Sequence, residues 1–306
     1  MKHFSLLILT LLVGATAFSQ KDGAKSNKGQ NFKKNDFIIY NTKTGEKVKP
    51  SAIIEDLKNY DVLFFGEEHN DSIGHRLQHK LLQKMYDAFG EKIAVSMEMF
   101  DRDVQYIMDE YLSGTIKKSY FLKDSRKWNN YKDYEPMVEF AKEKGFKVVC
   151  ANAPFRYVNV ATHKGMEGLE GLGEQAKKAI APLPYNYATG KYADKLNAMM
   201  GHDPDNPDSQ PSYIPGQSLW DATMAYSVYE YLKANPGHKV LHLNGRFHTD
   251  EGFGIIQRLA EYDSNIKPLT ISLEGNDENY PKVNLEEHKH LADYVIFTNP
   301  KVAKSY

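Results

Sequence analysis

The stretch Leu63-Phe-Phe-Gly-Glu-Glu-His-Asn-Asp-Ser-Ile-Gly-His75 decides the fold. A short apolar run ends at Gly66, two carboxylates and two histidines follow, and apolar residues then recur at helical spacing. This order is typical of a strand, a turn and a helix in a parallel sheet. Open α/β sheets bind ligands at the carboxyl ends of their strands, so we expect chemistry at this turn.

The rest of the chain repeats the alternation of strand and helix. We predict strands over 61–65, 92–97, 146–151, 238–243, 268–273 and 294–298, with helices over 72–89, 103–112, 135–143 and 253–262. The first helix carries an apolar stripe at four-residue spacing, formed by Ile73, Leu77, Leu81 and Met85. The expected fold class is therefore α/β, with a mostly parallel central sheet of four to six strands flanked by helices.

Residues 157–217, between the third and fourth predicted strands, depart from this alternation. They are rich in proline and tyrosine, with short helices predicted near 174–180 and 192–200. An insertion of this length in an α/β domain is usually a lid or a binding subdomain. The next helix is predicted to open at Leu219 with Ser218 as its N-cap.

The N-terminus indicates export. Residues 1–19 combine Lys2, an apolar run and small residues in the order of a signal peptide, and residues 20–36 form a polar, flexible linker. Residues 37–306 then form a single α/β domain, expected in the periplasm or secreted. No later run is long and apolar enough to span a membrane. A lipid anchor is not expected because no cysteine lies near the predicted cleavage site.

The composition argues against nucleic acid as a partner. The chain has 306 residues, of which 41% are hydrophobic and 26% charged, and a formal net charge of −1. It therefore lacks the basic character of most nucleic-acid binders. The only cysteine, Cys150, lies within a predicted strand and is expected to be a small buried hydrophobe, so no internal disulfide can form.

Polar residues follow four of the predicted strands. They are Glu67 and His69 after the first, Glu98 after the second, Asn152 and Arg156 after the third, and His248 after the fourth. The carboxyl ends of parallel strands share one edge of the sheet, so these side chains should meet in one crevice.

Histidine and carboxylate together suit either a first-row metal or general acid–base work. His69, His75 and His248 with Glu67 and Glu98 could serve in both ways, although Glu67 and Glu68 could equally form a solvated turn. Glu98 lies among apolar residues, where a carboxylate is costly unless it is paired. The chain lacks the His-Glu-x-x-His motif of metalloproteases. It also has no Gly-x-Ser-x-Gly motif and no dinucleotide-binding pattern, so neither a nucleophilic serine nor a nucleotide cofactor is expected.

Tyrosine is abundant, with 20 in the chain, and its phenolate is an axial ligand of ferric haem in some proteins. Most of the tyrosines should be packing residues. Tyr134 opens a predicted helix, whereas Tyr185, Tyr187 and Tyr192 lie in the insertion. Asp221 either stabilises the dipole of its helix from the first turn or faces the crevice.

In order along residues 61–262, the motifs resemble the ChaN-like haem-binding proteins, whose superfamily includes the Tiki proteases and the erythromycin esterases. The resemblance rests on Gly66-Glu-Glu-His69 with His75 and Gln78, Glu98-Met99 with Gln105, Tyr134-Glu-Pro136, Asn152-Ala-Pro154 with Arg156, Trp220-Asp-Ala-Thr-Met-Ala225, and Gly245-Arg-Phe-His248 with Gly252 and Gly254.

This resemblance implies an exported protein of bacterial haem and iron acquisition, with an α/β core and a helical subdomain. Haem would be held through a tyrosine, in a pocket that can form at the interface of a homodimer. The candidate iron ligands are Tyr134, Tyr185, Tyr187 and Tyr192. The other candidate haem contacts are His69, His75, Asn152, Arg156, Asp221 and His248.

The superfamily's hydrolytic members leave a second interpretation open. Glu67, His69, Glu98 and His248 would then act as metal ligands, or as base and acid around a water molecule. A binding protein and a hydrolase remain the two alternatives from the sequence, and the extent of the resemblance favours haem.

Overall fold

Eight strands form one sheet in the part of the chain described by the structure, a computed structural model that covers residues 32–33, 35–203, 205–206 and 212–306. The strands are β1 (Phe37–Asn41), β2 (Lys47–Val48), β3 (Val62–Glu67), β4 (Ile93–Asp101), β5 (Lys147–Asn152), β6 (Lys239–Gly245), β7 (Pro268–Glu274) and β8 (Tyr294–Thr298). The predicted signal peptide and most of the predicted linker lie outside the described residues.

The strand order is β2-β1-β8-β7-β3-β6-β4-β5. Strands β3 to β8 are mutually parallel, and β1 pairs antiparallel with β8 and β2. The prediction of a mostly parallel α/β sheet is therefore confirmed, and all six predicted strands are present. The expected count of four to six was too low because it omitted β1 and β2, which are short and only partly buried.

The helices flank this sheet. They are α1 (Pro50–Leu57), α2 (Ser72–Phe89), α3 (Gln105–Leu112), α4 (Lys118–Asp124), α5 (Tyr131–Lys144), α6 (Phe155–Glu170), α7 (Glu174–Lys177), α8 (Gly190–Met200), α9 (Ile214–Ala234) and α10 (Ile255–Tyr262). The predicted stripe of α2 is fully buried. Its N-cap is Asp71, whose Oδ1 accepts a hydrogen bond of 2.7 Å from Gly74 N, so α2 begins where the first motif turns.

Helix α9 begins earlier than predicted. Pro215 lies in its first turn, where a missing N–H costs no hydrogen bond, and Tyr213 is the N-cap. The prediction of Ser218 as N-cap was wrong, because Ser218 lies within the helix and its Oγ accepts a hydrogen bond of 2.8 Å from Ala188 N. Asp221 is consequently beyond the first turn.

The segment between β5 and β6 forms a helical subdomain. Helices α6 and α9 enclose an apolar cluster of Ala153, Val158, Ala161, Leu169, Ile180, Ala181, Tyr185, Leu219 and Ala222. The predicted insertion is thus anchored to the sheet domain through α9.

The side chain of Gln105 covers the edge of β5, the last strand of the sheet. Its Nε2 donates to Val148 O at 2.9 Å and its Oε1 accepts from Cys150 N at 2.7 Å. Cys150 is buried, as predicted. Within the described residues, no helix is long and apolar enough to cross a bilayer.

Candidate functional site

Strand β6 lies between β3 and β4 and brings their polar ends together. Glu67 of β3 is in register with Gly245 of β6. Strand β4 carries an irregularity between Met97 and Asp101, and Glu98 lies within it. Gly245 N donates a hydrogen bond to Glu98 Oε2 at 2.6 Å. Gly245 of β6 therefore contacts Glu98 of β4 and is in register with Glu67 of β3.

Glu67 is the centre of the first cluster of side chains. It is 2% exposed, and its Oε1 accepts hydrogen bonds from Tyr134 OH at 2.5 Å and His69 Nδ1 at 2.8 Å. Gln78 Nε2 donates to the second oxygen, and His75 Nε2 lies 3.8 Å from Oε1. A buried carboxylate with this many donors is stabilised in its charged form.

Because they contact each other, Glu67 has a lowered pKa and His69 a raised one. Burial alone raises the pKa of Glu67, but the hydrogen bond from His69 and the nearby imidazole of His75 lower it to about 2. Burial alone lowers the pKa of His69, but its hydrogen bond to Glu67 and the nearby Glu98 raise it to about 9. The two side chains therefore form an ion pair at neutral pH.

His248 is the centre of the second cluster. Its Nδ1 lies 2.6 Å from Asp221 Oδ1, and Tyr192 OH donates to Asp221 Oδ2 at 2.8 Å. Gln217 Nε2 lies 3.0 Å from Tyr192 OH and 3.1 Å from His248 Nδ1. On the far side of the ring, His248 Nε2 is 3.8 Å from Glu98 Oε1. Burial lowers the pKa of His248, but the charges of Asp221 and Glu98 outweigh it and raise that pKa.

Two glycines allow these side chains to approach the backbone. A Cβ at Gly245 would lie 2.8 Å from His69 Nε2. A Cβ at Gly254, whose φ is +50°, would lie 2.4 Å from His248 O and 2.9 Å from Tyr192 OH. Both positions need glycine because real Cβ contacts are longer.

The structure places the other predicted residues less centrally. Asn152 is buried at the end of β5, and its Oδ1 accepts from Ala153 N at 2.9 Å. The half-exposed side chain of Arg156 pairs with Asp103 instead of entering either cluster. Tyr185 OH donates to Pro215 O at 3.3 Å, and Tyr187 packs against the Tyr185 ring in the helical subdomain.

Four residues around the clusters were not among the predicted site residues, namely Gln78, Gln217, Trp128 and Asn130. Gln217 and Asp221 are four residues apart, so they share a face of α9, and this spacing was a usable signal. The Trp128 ring lies edge-on to His69 with ring centroids 5.0 Å apart, and Asn130 Nδ2 donates to His69 O at 3.3 Å. Both belong to the loop before α5, where no periodicity points to a role.

The metal interpretation finds no matching geometry. Across 35–203, 205–206 and 212–306, no group of three or more His, Cys, Asp or Glu is arranged to hold a metal ion. The four candidate ligands instead form two carboxylate–imidazole pairs on either side of Gly245. One pair is Glu67 with His69, and the other is Glu98 with His248. Such pairs can hold and move protons.

Comparison with known proteins identifies the family. Residues 53–259 match the family described as haem-binding uptake, Tiki superfamily, ChaN. The chain belongs to the ChaN family. The matched residues extend from α1 into α10 and include both clusters.

The fold is similar to that of another ChaN protein whose structure is solved. The ChaN of Campylobacter jejuni, described with cofacial haem binding, is 22% identical, with a TM-score of 0.64 over 86% of this chain and 97% of that one. The type III effector HopBA1 is 11% identical, with a TM-score of 0.48 over 82% of this chain and 93% of its own. An erythromycin esterase mutant in its open conformation is 12% identical, with a TM-score of 0.43 over 82% and 78%. No curated protein sequence matches significantly.

Proposed function

We propose that this protein is an exported haem-binding protein of bacterial haem and iron uptake. The observation that carries the proposal is the family match over residues 53–259, which includes every side chain of the two clusters. In this proposal haem lies in the crevice at the carboxyl ends of β3, β6 and β4. Export follows from the signal-like sequence of residues 1–19 and is tested by determining the N-terminus of the mature protein after bacterial expression.

The side chains around the crevice fit such a ligand. A haem needs flat apolar contacts, polar groups for its propionates and a ligand for its iron. Trp128 lies beside His69, and the Trp220 ring is 6.4 Å from that of His248. Phe155, which is 67% exposed, lies 6.2 Å from Trp220. The His69 side chain is 37% exposed and can therefore meet a ligand from solvent.

The proposed iron ligand is a tyrosine of one of the two clusters, Tyr134 or Tyr192. Both phenols are buried and donate to a carboxylate, and burial with that nearby charge raises their pKa values. Ferric iron, when bound, would supply the positive charge that stabilises a phenolate. Glu67 and Asp221 each keep a histidine partner when the tyrosine turns away. Either carboxylate can therefore release its phenol without losing all its hydrogen bonds.

A hemin titration of the mature protein tests this function. We expect a saturable shift of the Soret band, and loss of the tyrosinate features of the spectrum in either Tyr134→Phe or Tyr192→Phe. Tyr185→Phe is the matched control, because it removes a buried phenol outside both clusters and should leave the spectrum unchanged. A titration without saturation would refute haem binding.

A second candidate, acid–base hydrolysis, is supported by the Asp221–His248–Glu98 arrangement. Asp221 fixes the imidazole through Nδ1, and Nε2 is directed toward Glu98 at 3.8 Å. A histidine held in this way can exchange a proton with a substrate or a water molecule. Hydrolysis of ester substrates by the wild type that falls at least a hundredfold in His248→Gln would support it. Equal rates in both proteins would exclude it.

A further inference from the structure

Helix α8 covers the second cluster with one side chain. Tyr192 of α8 donates a hydrogen bond to Asp221 Oδ2 at 2.8 Å, and its hydroxyl lies 3.0 Å from Gln217 Nε2. Asp221 is only 1% exposed and holds His248 through Nδ1 at 2.6 Å. If α8 moved outward, Tyr192 would leave these contacts, and the Asp221–His248 pair would lose its cover on this side.

The apolar attachment of α8 to the rest of the molecule is small. Of its 11 residues, Tyr192, Ala193 and Leu196 are buried. The Tyr192 ring packs against those of Phe247 and Phe253, with ring centroids 5.4 and 5.7 Å apart. A helix that buries so few apolar side chains can open locally while the rest of the domain stays folded.

A glycine with left-handed backbone lies at each end of α8. The φ angle is +56° at Gly190 and +70° at Gly201, and nothing lies within 4 Å of a Cβ added to either residue. Hinges of moving elements are a few residues at the ends of those elements, where the backbone absorbs the change in φ and ψ. Helix α8 therefore has a suitable hinge position at both ends.

A single carboxylate ties α8 to the turn that follows β6. Lys191 Nζ donates to Glu251 Oε2, and Lys195 Nζ donates to Glu251 Oε1 at 2.6 Å. The two lysines are four residues apart and so share one face of α8. Burial alone raises the pKa of Glu251, but the two ammonium groups outweigh it and lower that pKa. The carboxylate is therefore charged at neutral pH and paired with both lysines.

The backbone holds Glu251 in an unusual conformation for these contacts. Its φ is +61°, in the left-handed region that residues with a side chain rarely adopt. Glu251 N donates to Leu291 O at 2.7 Å, which fixes the turn to the segment before β8. Backbone strain of this kind is concentrated at clamps and switch regions. We propose that α8 is a hinged lid over the Asp221–His248 pair and that Glu251 is its ionic latch.

The lid controls access to Asp221 and His248 and goes beyond the proposed function, because its opening requires no haem. Nitration of Tyr192 by tetranitromethane, followed by mass spectrometry of the mature protein, measures that opening. In the wild type at low salt, Tyr192 should react far more slowly than Tyr106, which is 64% exposed. We expect Glu251→Gln to react about fivefold faster at Tyr192, since both ion pairs are lost. Salt screens surface charges, so sodium chloride should accelerate the reaction of the wild type but not that of the variant.

Matched controls separate the latch from net charge and from misfolding. Lys191→Gln/Lys195→Gln removes the latch from the side of α8, leaves the strained turn unchanged and should reproduce the acceleration. Glu230→Gln breaks an ion pair with Arg102 elsewhere on α9, at 2.7 Å, and should react as the wild type does.

Tyr185 is the internal control within every sample. It is a buried phenol of the helical subdomain that lies outside α8, so it should stay protected while the lid opens. Equal rates at Tyr192 in the wild type and in Glu251→Gln would overturn the inference. An equal acceleration at Tyr185 would also overturn it, because the subdomain would then open as a whole.

Discussion

The imidazole of His69 lies directly against Gly245, so that a Cβ at that glycine would come within 2.8 Å of His69 Nε2. Because Gly245 N also donates to Glu98, the absence of one side chain allows the ends of β3, β6 and β4 to meet. The contact between the clusters depends on this single position.

Gly245→Ala should therefore displace His69 and lengthen its hydrogen bond to Glu67. We expect a loss of about 1–3 kcal/mol in the free energy of unfolding, typical of overpacking at a crowded position. Urea denaturation measures it. Gly173→Ala is the control, because nothing lies within 4 Å of its added Cβ and its φ is −65°. Equal stability of both variants would mean that His69 has room to move.

The Glu67–His69 pair should give stability a defined pH dependence. The raised pKa of His69 means that its stabilisation is complete below 6.5 and is lost as the pH rises through about 9. The lowered pKa of Glu67 means that its stabilisation is complete above 4.5 and is lost as the pH falls toward about 2. The pair should therefore stabilise most between about pH 4.5 and 6.5.

Unfolding curves of the wild type and His69→Gln between pH 5 and 10 test this dependence. The variant should lose less stability than the wild type between pH 6.5 and 9, because it lacks the group that titrates there. His163→Gln changes an exposed histidine and should follow the wild type. A His69→Gln curve parallel to that of the wild type would contradict the ion pair.

Asp221→Asn should lower the pKa of His248, since it removes the largest charge that raises it. The Asn side chain keeps the shape but not the charge of a buried hydrogen-bonded partner, so we expect a destabilisation of about 2–4 kcal/mol. NMR titration of the histidine ring and chemical denaturation measure the two effects. Asp194→Asn, on the exposed side of α8, should change neither. An unaltered His248 pKa would show that Asp221 is not its main partner.

Arg246→Leu should destabilise the protein most at neutral pH. Arg246 lies between Glu68, Asp250 and Glu274, and burial already raises the pKa values of Asp250 and Glu274 despite its charge. Without it we expect a loss of about 2–4 kcal/mol at pH 7. The loss should shrink as the pH falls and those carboxylates protonate, because their pKa values are raised. Arg156→Leu, which breaks a half-exposed pair, should cost less than about 1 kcal/mol.

Sequence predicted the elements that are buried throughout. Strand β8 was located to the residue and helix α2 to both ends, because an uninterrupted apolar run and a regular apolar stripe are direct consequences of burial. Strand β2 escaped prediction because it has only two residues, and β1 because it pairs with β8, more than 250 positions away. Local pattern does not encode such a partner.

The site was predictable where side chains follow strands. Glu67, His69, Glu98 and His248 come together around β6, as the parallel topology requires. Arg156 was expected in the same crevice, but it is the second residue of α6 and pairs with Asp103, a partner that spacing does not show. Trp128 was missed because the packing of α5 on α2 brings its loop to His69, and no local sequence pattern shows this contact.

Gln105 has a consequence beyond the site. The last strand of an open sheet exposes a row of free amide and carbonyl groups, to which another extended chain can add. The Gln105 side-chain amide forms hydrogen bonds with Val148 O and Cys150 N, as a neighbouring strand would, and so occupies two of these groups. The first residue of α3 therefore blocks the addition of another strand at these two groups, on the opposite side of β4 from β3 and β6.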